Sequence, residues 1–325
     1  MIHVDDKIFL AGHNGMVGSS ILKLLKDKGF KNILTLPRSE LDLSEATHVE
    51  KFLELELPRV VIIAAAKVGG INANNSFPAE FIHENLMIQN NIIHGAYLSN
   101  VEKLIFLGSS CIYPKLSVQP MNESSLLSGQ LEPTNEPYAI AKIAGIKMCE
   151  SYNRQYGCDF RSLMPTNLYG PNDNFDIENA HVIPAMLQKF HHAKKNKLDS
   201  VEIWGTGKPK REFLHVDDLA SAVLFILQLE KESYQMNTKP MTSHINVGSG
   251  HEIKVSELAE IILDVVGYKG KIVFNTAMPD GTPRKLLDTS LLNNMGWSSS
   301  IDLETGLHST YDWLCNNEDT IRSSK

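Results

Sequence analysis

Long hydrophobic runs are scarce in this chain: the longest clean apolar stretch, Val60 to Ala66, is far too short to cross a bilayer. The opening Met1-Ile2-His3-Val4-Asp5-Asp6-Lys7 has no basic segment followed by an apolar core and a small-residue cleavage site, so no secretory signal is expected. Cysteine is sparse. Cys111, Cys149, Cys158 and Cys315 lie far apart without metal-ligand spacing, and they read as reduced thiols in a cytoplasmic protein. Positive charge is in deficit: 38 acidic against 31 basic residues give a net charge of -7, mixed along the chain, which disfavours nucleic acid and anionic membrane as partners. A phosphate ligand therefore has to be met by positive charge concentrated locally. His191-His192 lacks a supporting carboxylate or thiol pattern, so no metal site is expected. Asn74-Asn75-Ser76 and Asn122-Glu123-Ser124 match the glycosylation pattern, but without an export signal both read as accidental.

What is present is a regular alternation. Short β-rich runs at Lys7 to Gly12, Ile33 to Leu36, Arg59 to Ala66, Lys103 to Leu107 and Phe160 to Met164 are separated by stretches with helical spacing. Those stretches are Met16 to Lys28, Ala46 to Leu55, Ala79 to Leu98 and Tyr138 to Tyr156. The pattern predicts a Rossmann-type α/β fold, a doubly wound parallel sheet with helices on both faces. At 325 residues and 42% hydrophobic content, a second and smaller α/β domain is expected. Beyond about Pro165 the loops lengthen, as in Asn167 to Asn179 and Gly205 to Pro209. Val216 to Leu229, opening with Asp217-Asp218, reads as a helix returning to the first domain. The tail, with strands at Ile245 to Val247 and Lys271 to Phe274 and helices at Val255 to Val266 and Leu303 to Leu314, is expected to complete the smaller one. The division is thus 1–170 with 212–243 for cofactor, and 171–211 with 244–325 for substrate.

Gly12-His13-Asn14-Gly15-Met16-Val17-Gly18 spaces its glycines three and three between a strand and a helix, where backbone can approach a pyrophosphate met by the helix N-terminus. An NAD-preferring site would place an acidic residue some twenty positions on. Pro37-Arg38-Ser39 stands there instead, and a guanidinium suits the 2′-phosphate of NADPH. Asp42 is an adenine-side candidate. Tyr138 and Lys142, four apart, share one helix face; a phenol titrates near pH 10, and a neighbouring ammonium favours its ionised form. Such a pair can exchange a proton with a sugar oxygen. Ser109 adds a hydroxyl at the carboxyl end of a strand, with Cys111 beside it, and His181 opens a helix in the second domain; alone, Cys111 and His181 read equally as packing residues. Trp204 can stack on a base, while Lys189 and Arg211 can neutralise a diphosphate.

Nearly the whole chain, from about Lys7 to Trp313, resembles the extended short-chain dehydrogenase/reductases, and among them the family of GDP-L-fucose synthases. The resemblance rests on GxxGMVG at 12–18, AAAKVGGI at 64–71, GSSCIYPK at 108–115, EPTNEPYAIAKIAG at 132–145, MPTNLYGP at 164–171, HVIPA at 181–185, REFLHVDD at 211–218 and PDGTPRKLLD at 279–288. It implies an NADPH-dependent enzyme acting on a GDP-sugar, GDP-4-keto-6-deoxy-D-mannose, by epimerisation and reduction, and a homodimer built through the helices at 79–98 and 138–156. It also implies that Tyr138 is the proton donor assisted by Lys142 and Ser109, and that Cys111 and His181 exchange protons at the sugar. The family's nucleotide contacts map onto Gly12, His13, Asn14, Gly15, Met16, Val17 and Gly18, and onto Arg38, Ser39, Glu40, Leu41, Asp42 and Leu43. Further ones map onto Leu107, Gly108, Ser109, Ser110, Lys142, Pro165, Thr166, Asn167, Leu168 and His181. Its substrate contacts map onto Lys189, Trp204, Arg211 and Asp280, while the Asp176 to Ala180 stretch carries no motif. Two rivals remain: another nucleotide-sugar epimerase or dehydratase of the extended type, although dehydratases place an acidic pair where Ser110-Cys111 stands, and a silent NADPH-sensing module, a class that commonly lacks the Tyr/Lys pair.

Overall fold

The computed structural model describes residues 1–176, 180–278 and 280–320. Positions 177–179, inside the motif-free stretch, and Pro279, which opens the last motif, lie outside the described residues. In chain order the first half runs β1 (Ile8–Ala11), α1 (Met16–Asp27), β2 (Ile33–Leu34), α2 (Ala46–Glu56), β3 (Val60–Ile63), α3 (Ile71–Ser76), α4 (Pro78–Leu98), β4 (Lys103–Leu107), α5 (Glu136–Tyr156) and β5 (Phe160–Pro165). It continues with β6 (Asn167–Tyr169), α6 (Val182–Lys195), β7 (Ser200–Trp204), β8 (Lys210–His215), α7 (Val216–Gln228), α8 (Lys231–Asn237) and β9 (Ile245–Val247). The remainder is β10 (Glu252–Lys254), α9 (Val255–Val266), β11 (Lys271–Asn275), β12 (Arg284–Lys285), α10 (Ser290–Asn294) and α11 (Leu303–Asn316).

Six strands form one parallel sheet in the order β2-β1-β3-β4-β5-β9. Successive side chains of a strand point to opposite faces, so Ile8 and Leu10 of β1 join Ile21, Leu25, Leu219, Val223 and Ile226 of α1 and α7. Phe9 and Ala11 join Val49, Leu53, Ile92, Ile93 and Ile146 of α2, α4 and α5 on the other face. Both faces being covered explains why β1 and β3 read as unbroken apolar runs. The chain leaves β1 for β2 on one side and returns to β3 on the other, which opens a crevice at the carboxyl ends of β1 and β3 where such sheets bind ligands.

A separate core gathers Leu187 and Phe190 of α6, Val201 and Ile203 of β7, Leu258 and Ile262 of α9, and Leu307 and Leu314 of α11. β7 pairs with β11, and β8 pairs with β6, β10 and β12. Two expectations change. Ile245–Val247, assigned from the sequence to the tail's domain, is the sixth strand of the large sheet: Leu163 to Pro165 of β5 pair with Ile245 to Val247, and Ile245 and Val247 bury in the α1/α7 core. Asn167–Tyr169, read as the start of a loop, is β6 on β8; its three residues are too short a run to show periodicity.

Candidate active site

A cavity of about 780 Å³ opens at the carboxyl ends of β1, β3, β4 and β5. Gly12 turns the chain out of β1 with φ +89°, and a Cβ on it would lie 2.6 Å from the Ala65 backbone nitrogen, so only glycine fits. The turn delivers Gly15 as the N-cap of α1 with Gly12 to Val17 on the cavity wall, a cradle of backbone amides at a helix N-terminus. Gly18 does not line the cavity; a Cβ there would lie 2.1 Å from the Gly12 carbonyl oxygen, so this glycine seats α1 on the turn instead.

Residues following β2 form one end of the cavity. The Arg38 side chain is 72% exposed, with Nε 3.4 Å from Asp42 and Nη1 3.7 Å from Glu84. Asp42 also accepts from the Ser44 amide and hydroxyl, which together with Arg38 hold its carboxyl below the usual range. Arg38, Leu41, Asp42 and Leu43 line the cavity, whereas Ser39 and Glu40 are exposed and do not. A turn whose glycines admit a close backbone approach, a helix N-terminus and an arginine without a bidentate partner fit a dinucleotide carrying an additional phosphate.

The other end, after β4 and β5, holds the reacting groups. Ser109 caps a short 3₁₀ turn by accepting from the Cys111 amide at 3.4 Å, which sets Cys111 on the wall. Tyr138 and Lys142 come from α5, which approaches β4 closely because Gly145 has no Cβ; one would lie 2.4 Å from the Phe106 ring. Lys142 donates to the Leu107 carbonyl at 2.8 Å, and its Nζ lies 5.7 Å from the centre of the Tyr138 ring. The shared face is as the spacing predicts, but the electrostatic outcome differs. Burial pushes the Tyr138 phenol well above its ordinary range, with the charged form of Cys111 adding to the rise. The same burial pulls Lys142 down to about 8.

Burial likewise raises the Cys111 thiol, opposed by Lys285, the Ser109 hydrogen bond and Lys142. His181, the N-cap of α6, is exposed on the cavity wall, where desolvation by the surrounding protein and then Lys285 disfavour its imidazolium. Leu107, Gly108, Ser110, Pro165, Thr166, Asn167 and Leu168 complete this wall.

Sequence reasoning missed several wall residues, among them three polar ones. Lys285 stands on two-residue β12, Asp173 is buried with one carboxylate oxygen unpartnered and is pushed up to about 7, and Asn135, just before α5, has a buried carboxamide oxygen without a partner. Only the quoted motifs around Lys285 and Asn135 could have drawn attention to them, since short strands and loop residues leave no periodic signal.

Lys189, Trp204, Arg211 and Asp280 are not on this wall. They sit on the neighbouring elements: Lys189 Nζ lies 5.4 Å over the Trp204 ring, and Asp280 accepts from the Thr206 amide at 2.8 Å and its hydroxyl at 2.7 Å. Arg211 donates to the Lys210 carbonyl at 2.8 Å and pairs in register with Lys285, which joins this cluster to the cavity.

Residues 8–248 match the model of the NAD dependent epimerase/dehydratase family. The chain is 57% identical over 316 residues to the GDP-L-fucose synthase of Escherichia coli (strain K12), covering 97% of this chain and 98% of that one. Among solved structures it resembles a GDP-D-glycero-L-gluco-heptose synthase of Campylobacter jejuni determined in the presence of NADPH, at TM-score 0.92 and 38% identity over 97% of this chain and 100% of that one. A GDP-L-fucose synthetase of Naegleria fowleri bound to NADP matches at TM-score 0.88 and 27% identity, covering 99% and 98%.

Proposed function

This chain belongs to the NAD dependent epimerase/dehydratase family, and we propose that its activity there is the NADPH-dependent 3,5-epimerisation and 4-reduction of GDP-4-keto-6-deoxy-D-mannose to GDP-L-fucose. One observation carries the reading: a single cavity joins the glycine cradle and Arg38 to Ser109, Tyr138 and Lys142, and these to Cys111 and His181. A reductase alone uses the first two sets. The thiol and imidazole are what inversion at carbon adds, and the relationship to the Escherichia coli synthase supports the choice of substrate.

A ketone at carbon 4 acidifies the hydrogens on carbons 3 and 5, so a base and an acid on the walls can invert both centres through an enolate. Cys111 Sγ takes the carbon-bound proton and His181 returns one. Burial raises the thiol and lowers the imidazolium, which makes the thiolate a stronger base and the imidazolium a stronger acid. NADPH, when bound, supplies the hydride that removes the ketone. Tyr138 delivers the proton to the carbon-4 oxygen, Ser109 hydrogen-bonds that oxygen, and Lys142, fixed by the Leu107 carbonyl, supplies the nearby positive charge. Gly12 to Val17, Arg38, Leu41 to Leu43, Leu107 to Ser110 and Pro165 to Leu168 hold the dinucleotide; Lys189, Trp204, Arg211 and Asp280 hold the GDP moiety.

Two coarser features go with this reading. Among the described residues no helix is long and apolar enough to cross a membrane, and the four cysteines are free thiols, in keeping with a cytoplasmic enzyme. A homodimer through α4 and α5 belongs to the same reading, and these helices leave the apolar side chains of Leu98, Ile140 and Tyr156 exposed. The test of function is product stereochemistry. With NADPH, the wild type should consume cofactor and yield the inverted sugar, while Cys111→Ala should lose deuterium exchange at carbons 3 and 5 and slowly form 6-deoxysugar with uninverted centres. Wild-type exchange and fully inverted product from Cys111→Ala would remove Cys111 from the mechanism.

A further inference from the structure

Lys285 is a cation whose placement the mechanism above leaves unused. It follows Arg284 on β12, and the alternation of the strand separates the two side chains. Arg284 turns away to pair with Glu252 at 2.6 Å, whereas Lys285 joins the cavity wall with Cys111 and His181. Among the described residues its ammonium has no hydrogen-bond or ion-pair partner. The carboxylate best placed to neutralise it, Glu212 on β8, is fully buried and already accepts from the backbone amides of Gly250 at 2.8 Å and Leu287 at 2.9 Å. A desolvated ammonium without a committed partner is costly, and such a group beside a thiol and an imidazole is a functional candidate.

We propose that Lys285 is the counter-charge of the proton-exchange couple: its ammonium stabilises negative charge on Cys111 Sγ and disfavours positive charge on His181. Ser109 after β4, Tyr138 and Lys142 on α5, Asp173 beyond β6 and Lys285 share the wall with the couple, while Arg211 and Glu212 on β8 act on Lys285 from behind that wall. Of the cations, Lys142 is committed to the Leu107 carbonyl and Arg211 to that of Lys210, which leaves Lys285 free to answer charge in the cavity. The electrostatics agree in sign: Lys285 lowers both the thiol and the imidazole, and a thiolate in turn steadies Lys285 against its own burial. In the epimerisation step, the S–H bond forms as the C–H bond breaks and the electron pair moves onto the ketone oxygen. One negative charge thus passes from sulfur to the enolate within reach of the same ammonium, and Lys285 keeps its proton. It is a positioning residue for charge, acting through Cys111, and this role rests on the epimerase-reductase reading.

The test titrates both members of the couple in the cofactor-free protein. Cys111 alkylation by iodoacetamide is followed against pH by peptide mass, and His181 by the NMR shift of its Cε1 proton. Lys285→Met should move both midpoints upward, Cys111 by about one pH unit, which makes its alkylation at neutral pH roughly tenfold slower. Lys285→Arg should restore both. Retained NADPH affinity certifies the fold, and Lys285→Gln gives the same comparison if the Met variant fails to accumulate. Loosened packing would instead admit water, lowering the thiol while raising the imidazole; that outcome, or unchanged midpoints, overturns the proposal. No sugar is needed, so shifted midpoints with no wild-type turnover of GDP-4-keto-6-deoxymannose would uphold the coupling and reject the substrate reading.

Discussion

The two ends of the cavity treat charge in opposite ways. After β2, Arg38 is 72% exposed and shared between Asp42 and Glu84, and after β3, Lys67 is held by Glu80 and Glu84, so each charge is both hydrated and paired. After β4 and β5, burial is the first cause of the shift at Tyr138, Lys142, Cys111, His181, Asp173 and Lys285, and it opposes the charged form in every case. A solvated cation can capture a phosphate, because a ligand replaces its loose partners at little cost and salt screens the attraction. Buried groups are poised for proton transfer, since their charged forms are the energetic ones.

The sharpest way to separate the ends is to remove one proton route without touching the other end. Tyr138→Phe keeps the ring that packs edge-on against Phe81 and leaves Gly12 to Val17 intact, so NADPH affinity should stay within a factor of about two. Turnover should fall by roughly 10³-fold, in the range of losing a general acid. Steady-state NADPH oxidation and fluorescence titration of the cofactor check the pair. Wild-type turnover would dismiss Tyr138 as the donor.

How far these ends were legible in the sequence follows from the same contrast. β1, β3 and β4 were placed within about three residues because strands buried on both faces leave continuous apolar runs, and the glycine turn is visible because backbone approach admits no substitute. Short elements were not: β6, β10 and β12 span two or three residues each, below any period, and β9 could be assigned to a sheet only through its pairing with β5. In the site, Tyr138 and Lys142 were readable from their spacing on one helix face. Their charge states were not, because spacing says which groups are neighbours but not how much water reaches them. Lys285 was missed because it reaches the cavity from a distant two-residue strand, and Asp173 because a loop residue just past a motif leaves no periodic signal.

A smaller effect is expected at the solvated end. Arg38→Asp replaces a phosphate partner with a repulsive carboxylate, so the dissociation constant for NADPH should rise roughly 10–100-fold, the worth of a charge-assisted hydrogen bond, while that for NADH changes little. Because Arg38 is exposed, the gap should narrow as salt is raised, unlike the Tyr138→Phe defect. Equal affinities of the variant and the wild type for both cofactors would make Arg38 a surface residue with no part in the choice.

The smallest effect lies at Asp173, and it tests whether burial governs the inner end even where no chemistry is assigned. One oxygen of this carboxyl accepts from the Asn174 amide at 2.7 Å, while the other has no partner, and burial raises it from 3.8 to about 7. The folded protein therefore holds a proton that the unfolded chain releases near pH 4. Between those values the native state binds more protons than the unfolded one, so this contribution to stability is complete below about pH 4 and is lost as pH rises through about 7. Asp173→Asn keeps the shape and mimics the protonated acid at every pH. Its melting temperature should match the wild type at pH 4 and exceed it by a few degrees at pH 8, with the difference growing across the interval between. A difference that is flat with pH would show that water solvates this carboxylate as freely as it does Asp42, and the contrast between the two ends would then not extend beyond the reacting groups.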